Sequence, residues 1–425
     1  MGGAILVALT VVNPLVWAAV VAYHATLIWL AGADARRLPA AGGFEARRQV
    51  PRPFSLGAAE MVRVTVDHAA AAGLAAEVAD NPPLDLRPAP LVTRSSFDAG
   101  GRLEFTYTTR APRRGLYAFG SVDVRCWRAG GWFLRQVRIP LAEQAAVYPN
   151  VVAIRQYQLT VRRGLEAMAG QRRMRPPGAA TSFASLRDYL PGDDVRRISW
   201  KATARRDRPV TAEMEAERGQ QVMLAIDTGR LMTAPAGELT KLDHAINAAL
   251  LLAWVAQAHG DRVGLMTFSE GVRSFVAPQP GPAQTALINQ VLFNVRPEYL
   301  EPDFVGAFAH LAQRVSRRSL VIVLTDVLDP EASRELVAAA LRLRNRHLVL
   351  VVAMADPAVL AARSAPIETS QRAYEWAAAE ELLAARRQSF EALRRGGALA
   401  LDVPAGRLSP SLVERYLELK ERALL

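Results

Sequence analysis

The first 33 residues contain no Asp, Glu, Lys or Arg, and Ala4 to Leu30 form an almost unbroken apolar run of 27 residues. Coiled at 1.5 Å per residue, such a run reaches roughly 40 Å, more than a hydrocarbon core of about 30 Å. It predicts a transmembrane anchor over residues 1–33, kinked at Pro14, with Asn13 and His24 as the strongly polar side chains a bilayer has to tolerate. A cleaved signal peptide is the alternative reading. The small-x-small triplet Ala31-Gly32-Ala33 favours it, whereas the missing basic n-region and a run longer than the usual ~7–15 residues oppose it. Arg36, Arg37, Arg47, Arg48 and Arg52 follow the run, so the positive-inside rule predicts a single-pass protein of the cell (inner) membrane with the bulk of the chain cytoplasmic. A lone Cys126, which permits neither an internal disulfide nor a multi-thiolate zinc site, fits the same reducing side.

The chain of 425 residues is too long for one small module, and its 51% hydrophobic and 22% charged residues place it in the globular range. After a juxtamembrane linker over 34–59, the pattern takes period two: Val62, Val64, Val66; Leu103, Phe105, Tyr107; Val122, Val124, Cys126; Val137, Ile139, Leu141. Gly-rich turns separate these runs, which predicts an antiparallel β-sandwich over 60–150. Residues 151–220 read as a linker helix (Ile154, Tyr157, Val161, Leu165, Met168), a Pro/Gly/Arg-rich loop and a basic signature loop. From 221 to 425, continuous apolar runs at Val222–Ile226, Val263–Phe268, Leu320–Leu324, Leu348–Met354 and Leu399–Val403 alternate with helical stretches. That alternation predicts a doubly wound α/β domain with a parallel sheet. Near the end, one helix is expected to pack Trp376, Leu383 and Phe390 inward, and the last helix to start at an N-cap Ser409.

The net charge of +11 comes almost wholly from arginine, since the only lysines are Lys201, Lys241 and Lys420. Residues 151–220 hold 14 basic against 8 acidic side chains, so +6 of that excess lies there and points to an anionic partner. Within this region runs Asp188-Tyr189-Leu190-Pro191-Gly192-Asp193-Asp194-Val195-Arg196, then Ile198-Ser199-Trp200-Lys201-Ala202-Thr203-Ala204-Arg205. Pro191-Gly192 suits a type II turn. The segment reads either as a recognition surface or as a salt-bridged loop docked on the α/β domain.

These residues resemble the signature of the bacterial domain-of-unknown-function 58 family. The resemblance implies a membrane segment, a β-rich region and then a von Willebrand factor A-like domain. One departure is Ser199, where the family usually has Asp. The resemblance further implies a metal-ion-dependent adhesion site built from Asp-x-Ser-x-Ser, a Thr and a second Asp, whose oxygens suit Mg²⁺. Here that stretch reads Asp227-Thr228-Gly229-Arg230-Leu231, so both serines are lost. Asp326 matches the later aspartate, Asp303 falls near the missing Thr, and Arg230 stands by to neutralise the site by ion pairing. The expectation is therefore a degenerate metal site at Asp227 and Asp326 and no cofactor.

There is no P-loop, no His-Glu-x-x-His, and no Gly two residues before Ser269 to form a nucleophile elbow. The leading expectation is a non-enzymatic, membrane-anchored adaptor or assembly factor. Its partner, implied by the resemblance, is a MoxR-type AAA+ ATPase met through Tyr189, Asp193, Asp194, Arg196, Trp200, Lys201 and Arg205. The rival is a metal-dependent hydrolase using Asp227, Asp303 and Asp326. Nucleic-acid binding fits least, because acidic residues interleave the basic ones and the anchor holds the chain at a membrane.

Overall fold

The computed structural model describes residues 14–52, 54–149, 182–190, 195, 198–215, 219–326 and 333–422. The expected linker helix, the Pro/Gly/Arg-rich loop, Asn13 and the Pro191-Gly192 turn lie outside them. The chain forms two compact units, Met1–Tyr148 and Pro149–Leu425.

In the first unit, helix α1 (Pro14–Arg36) has its acidic and basic side chains, Asp34 and Arg36, only in its last turn, and it is long and apolar enough to cross a membrane. Three sheets follow. Strands β1 (Glu45–Gln49), β2 (Ala59–Asp67) and β5 (Arg102–Arg110) pair antiparallel in the order β1-β2-β5. Strands β3 (Ala75–Asp80), β4 (Thr93–Ser96), β7 (Val122–Trp127) and β8 (Leu134–Ile139) form an antiparallel sheet in the order β4-β3-β7-β8. Strands β6 (Gly115–Phe119) and β9 (Glu143–Tyr148) pair antiparallel, with Phe54–Ser55 parallel on β9. Val62, Val64, Val66, Leu103, Phe105, Tyr107, Val122, Val124, Cys126, Val137 and Ile139 are buried and share one core, as period-two alternation requires when one face of each sheet is covered.

Two features depart from the sequence reading. Strand β1 falls inside the stretch expected to be linker. Arg48, expected among the membrane-proximal basic residues, is buried and forks onto Asp80, which also accepts from Tyr107 Oη at 2.6 Å. Arg48 further donates to the carbonyls of Gly120 and Leu141, so each of its three nitrogens is hydrogen-bonded in a buried setting.

The second unit opens with an antiparallel ribbon, β10 (Ser182–Asp188) against β11 (Val210–Glu215), with the short helix α2 (Trp200–Arg206) between its strands. Then come β12 (Gln221–Asp227), α3 (Lys241–Ala258), β13 (Arg262–Phe268), β14 (Val272–Gln279), α4 (Pro282–Asn294) and α5 (Phe304–Arg314). Next are β15 (Leu320–Thr325), α6 (Ser333–Arg344), β16 (Leu348–Ala355), α7 (Pro357–Ser364), α8 (Ser370–Arg395), β17 (Leu399–Pro404) and α9 (Leu408–Glu421). The strands form one six-stranded sheet in the order β14-β13-β12-β15-β16-β17, parallel except for the antiparallel edge strand β14.

Two apolar cores, one on each face, cover this sheet. The sheet is therefore mixed rather than purely parallel. Sequence reading missed β14 because a half-exposed edge strand lacks the unbroken apolar run of its buried neighbours. Helix α8 meets the expectation only in part: Phe390 is buried and Leu383 half-buried as expected, but Trp376 is exposed, and Ala379, Arg386 and Leu393 do the remaining inward packing. Ser409 sits inside α9 rather than capping it, since that helix begins at Leu408.

Candidate functional site

The strand order reverses at β12, between β13 and β15, and open α/β sheets place ligands outside the carboxyl ends of strands at such a switch point. Four carboxylates gather at that edge. Asp227 ends β12, Asp326 follows β15, Asp356 follows β16, and Asp402 lies near the end of β17.

A capping box fixes the start of α3, with the Thr240 hydroxyl accepting from Asp243 N and the Asp243 carboxylate accepting from Thr240 N. That start holds Lys241 at the first helical position, where its buried ammonium meets Asp326 Oδ2 at 2.5 Å and lies 3.6 Å from Asp356 Oδ2. From the other side Arg386 of α8 donates to Asp326 Oδ1 at 2.8 Å and forks onto Asp402 at 2.8 and 3.1 Å. Both oxygens of Asp326 thus face a cation supplied by the chain itself.

Asp227 is buried and equally occupied. Gly229 N donates to its Oδ1 at 2.7 Å and the Thr325 hydroxyl to its Oδ2 at 2.6 Å. Desolvation pushes its carboxyl up to about 6. The nearby Asp326 and Glu301 add to the rise, and the two hydrogen bonds work against it.

These residues do not fit a divalent ion of the adhesion-site kind. Asp326 would have to give up an ammonium and a guanidinium. A side chain at residue 229 has no room, because a Cβ there would sit 2.8 Å from Leu300 O and 3.0 Å from Asp227 Oδ1. Asp303 is turned to another task, capping α5 by accepting from Gly306 N at 2.8 Å. Arg230 pairs with Glu301 at the surface and not with the buried aspartates; Lys241 and Arg386 do the neutralising instead. Among the described residues, no group of three or more His, Cys, Asp or Glu could hold a metal ion. Ser269, at the end of β13, is buried and donates to Glu298 at 2.7 Å.

Of the expected contact residues, Asp193, Asp194 and Arg196 lie outside the described residues. Tyr189 ends the ribbon, its N–H bonded to Pro209 O, and is half-buried. Trp200, Lys201 and Arg205 share helix α2 and are exposed, as are Leu190 and Val195. Ser199 occupies the N-cap of α2 without a side-chain cap bond, and its N–H ties the helix start to Val210 O at 2.8 Å. The Asp usual in the family at this position would stand where carboxylates cap helices. Asp207, at φ 52°, ends the helix.

The fold and this edge define an α/β domain whose switch-point edge is occupied by its own buried charges, preceded by a ribbon whose intervening helix exposes an aromatic. Residues 185–362 match the family described as protein of unknown function DUF58. An uncharacterized protein of Mycobacterium tuberculosis (strain ATCC 25618 / H37Rv) is 28% identical over 209 residues, 48% of this chain and 65% of that protein. The uncharacterized protein YeaD of Bacillus subtilis (strain 168) is 28% identical over 125 residues, 29% of this chain and 31% of its own length. Among solved structures, the conserved hypothetical protein BatB from Bacteroides thetaiotaomicron aligns at 15% identity, covering 48% of this chain and 98% of that one, with a TM-score of 0.32. The family match includes Asp227, Lys241 and Asp326 and stops before Arg386 and Asp402.

Proposed function

We propose that this protein is a membrane-anchored, non-enzymatic adaptor or assembly factor that binds another protein through the α2 ribbon. Its physiological partner is a MoxR-type AAA+ ATPase. In this reading the amino-terminal unit is a β-sandwich, the carboxy-terminal unit is a von Willebrand factor A-like domain, and α1 makes a single pass that leaves both on the cytoplasmic side of the cell membrane. The ATPase supplies the nucleotide chemistry.

The observation that carries the proposal is Trp200, 72% exposed on a seven-residue helix beside Lys201 and Arg205. A rigid aromatic with flanking cations has the composition of a binding hot spot. The self-neutralised crevice supports the same reading, since Asp326 is engaged by Lys241 and Arg386 and offers little to a substrate.

Full-length protein in detergent, carrying Trp200→Ala or Lys201→Glu, is expected to lose most of its co-purification with the ATPase while the exchange-protected amides of β12 and β15 stay unchanged. Undiminished co-purification of both variants would remove α2 from the contact.

A further inference from the structure

The β7–β8 hairpin carries Trp132, Phe133 and Leu134 in succession, exposed by 59%, 45% and 58%. Trp132 and Phe133 lie in the turn and Leu134 opens β8, so the tip exposes three large apolar side chains where hairpin ends are ordinarily polar. Its turn is tight, with Gly131 N bonded to Arg128 O at 3.0 Å and Gly130 at φ +74°.

This tip is fastened to the end of α1. Asp34 Oδ2 accepts from Trp132 N at 2.8 Å and from Phe133 N at 3.0 Å, and Arg135 Nε donates to Pro39 O at 3.1 Å. The approach is close enough that a Cβ at residue 131 would lie 3.0 Å from the Asp34 carboxylate and press on it. Asp34 follows Leu30, the end of the apolar run, by four residues, or about 6 Å along the helix axis. Whatever depth the end of α1 takes, the hairpin tip takes nearly the same.

We propose that Trp132, Phe133 and Leu134 form a second membrane contact, seated at the headgroup level of an anionic phospholipid bilayer. The proposal rests on α1 spanning that bilayer. Tryptophan and its aromatic neighbours suit this layer because one part of it is apolar and another wet. Arg36, Arg37 and Arg128 are exposed around the same end and match lipid phosphates in charge. The contact fixes the amino-terminal unit against the membrane at two points, which gives it a defined orientation.

The test uses the full chain in nanodiscs of phosphatidylcholine and phosphatidylglycerol, with a nitroxide at Phe133→Cys, Ile28→Cys or Ser95→Cys. Cys126 is buried and its thiol is pushed up by that burial, so brief labelling spares it. The ratio of oxygen to nickel-complex accessibility reports depth. Site 28 should read as hydrocarbon, site 95 as water, and site 133 severalfold above site 95. Gly131→Val, which pushes on Asp34, should lower the ratio at 133 toward that at 95. A ratio at 133 equal to that at 95, with 28 in lipid, overturns the hairpin contact alone. Water at 28 overturns the spanning helix and the proposal with it.

Discussion

Replacing Asp227 by Asn should stabilise the α/β unit, and the size of the gain follows from its surroundings. Burial, with smaller contributions from Asp326 and Glu301, raises its carboxyl from 3.8 to about 6 against the pull of its two hydrogen bonds. Between those values the folded protein holds a proton that the unfolded chain has released. Stability therefore falls as pH rises from about 4 to about 6 and is level above that. At ~1.4 kcal/mol for each pKa unit the loss comes to about 3 kcal/mol. Asn is neutral at every pH in this range and keeps the geometry: its oxygen accepts from Gly229 N, and its amide donates to the Thr325 hydroxyl, which has Asp326 O at 3.4 Å as an alternative acceptor. The variant should exceed the wild type by up to ~3 kcal/mol at neutral pH, and the difference should vanish near pH 4. Hydrogen exchange of the β12 amides in the full chain, followed across that range, reads the opening free energy. A variant less protected at neutral pH, or a difference that does not change with pH, would refute the assignment of an ionised, desolvated carboxylate there.

Lys241→Met strips Asp326 of its ammonium, and breaking a buried pair from one side costs roughly 3–5 kcal/mol; urea unfolding followed at the β15 amides should show that loss, and the double variant with Asp326→Leu should recover part of it. Millimolar Mg²⁺ or a chelator should leave the unfolding midpoint of the carboxy-terminal unit unmoved. A rise with Mg²⁺ would mean that the cation competes successfully with Lys241 and Arg386.

Strand and helix positions were readable where burial is complete on both faces of an element or alternates strictly across it. Val222–Ile226 and Leu320–Leu324 are buried on both faces, and Val62, Val64 and Val66 alternate with exposed or half-buried neighbours. The reading failed where exposure is mixed, as at β14, and where a charged side chain does the inward packing, as Arg48 and Arg386 do. An apolar stripe rule skips an arginine by construction. It therefore turned Trp376 of α8 inward and left out the guanidinium that pairs with Asp326. Asp227 and Asp326 were legible because an aspartate at the end of an apolar strand stands out. The partners of Asp326 come from α3 and α8, 85 and 60 residues away in sequence, and no local pattern joins them to it.

One signal for Lys241 was nevertheless present. In a chain that uses arginine almost everywhere, Lys241 opens a helix, where a positive charge opposes the macrodipole. A residue that is both rare in composition and misplaced electrostatically needs a specific anion, and Asp326 is that anion. Lys420 obeys the same logic from the other end of the unit. On α9 it lies one turn from Tyr416, and the two converge on buried Asp261 at 2.5 Å each, just before β13. Each site gives a compact ammonium one carboxylate oxygen at close range, where a planar five-donor fork would need more acceptors than one oxygen offers. Lys201, the remaining lysine, is exposed beside Trp200 and pairs with no carboxylate among the described residues. That contrast is why the proposed partner contact draws on the charge of α2 rather than on that of the crevice.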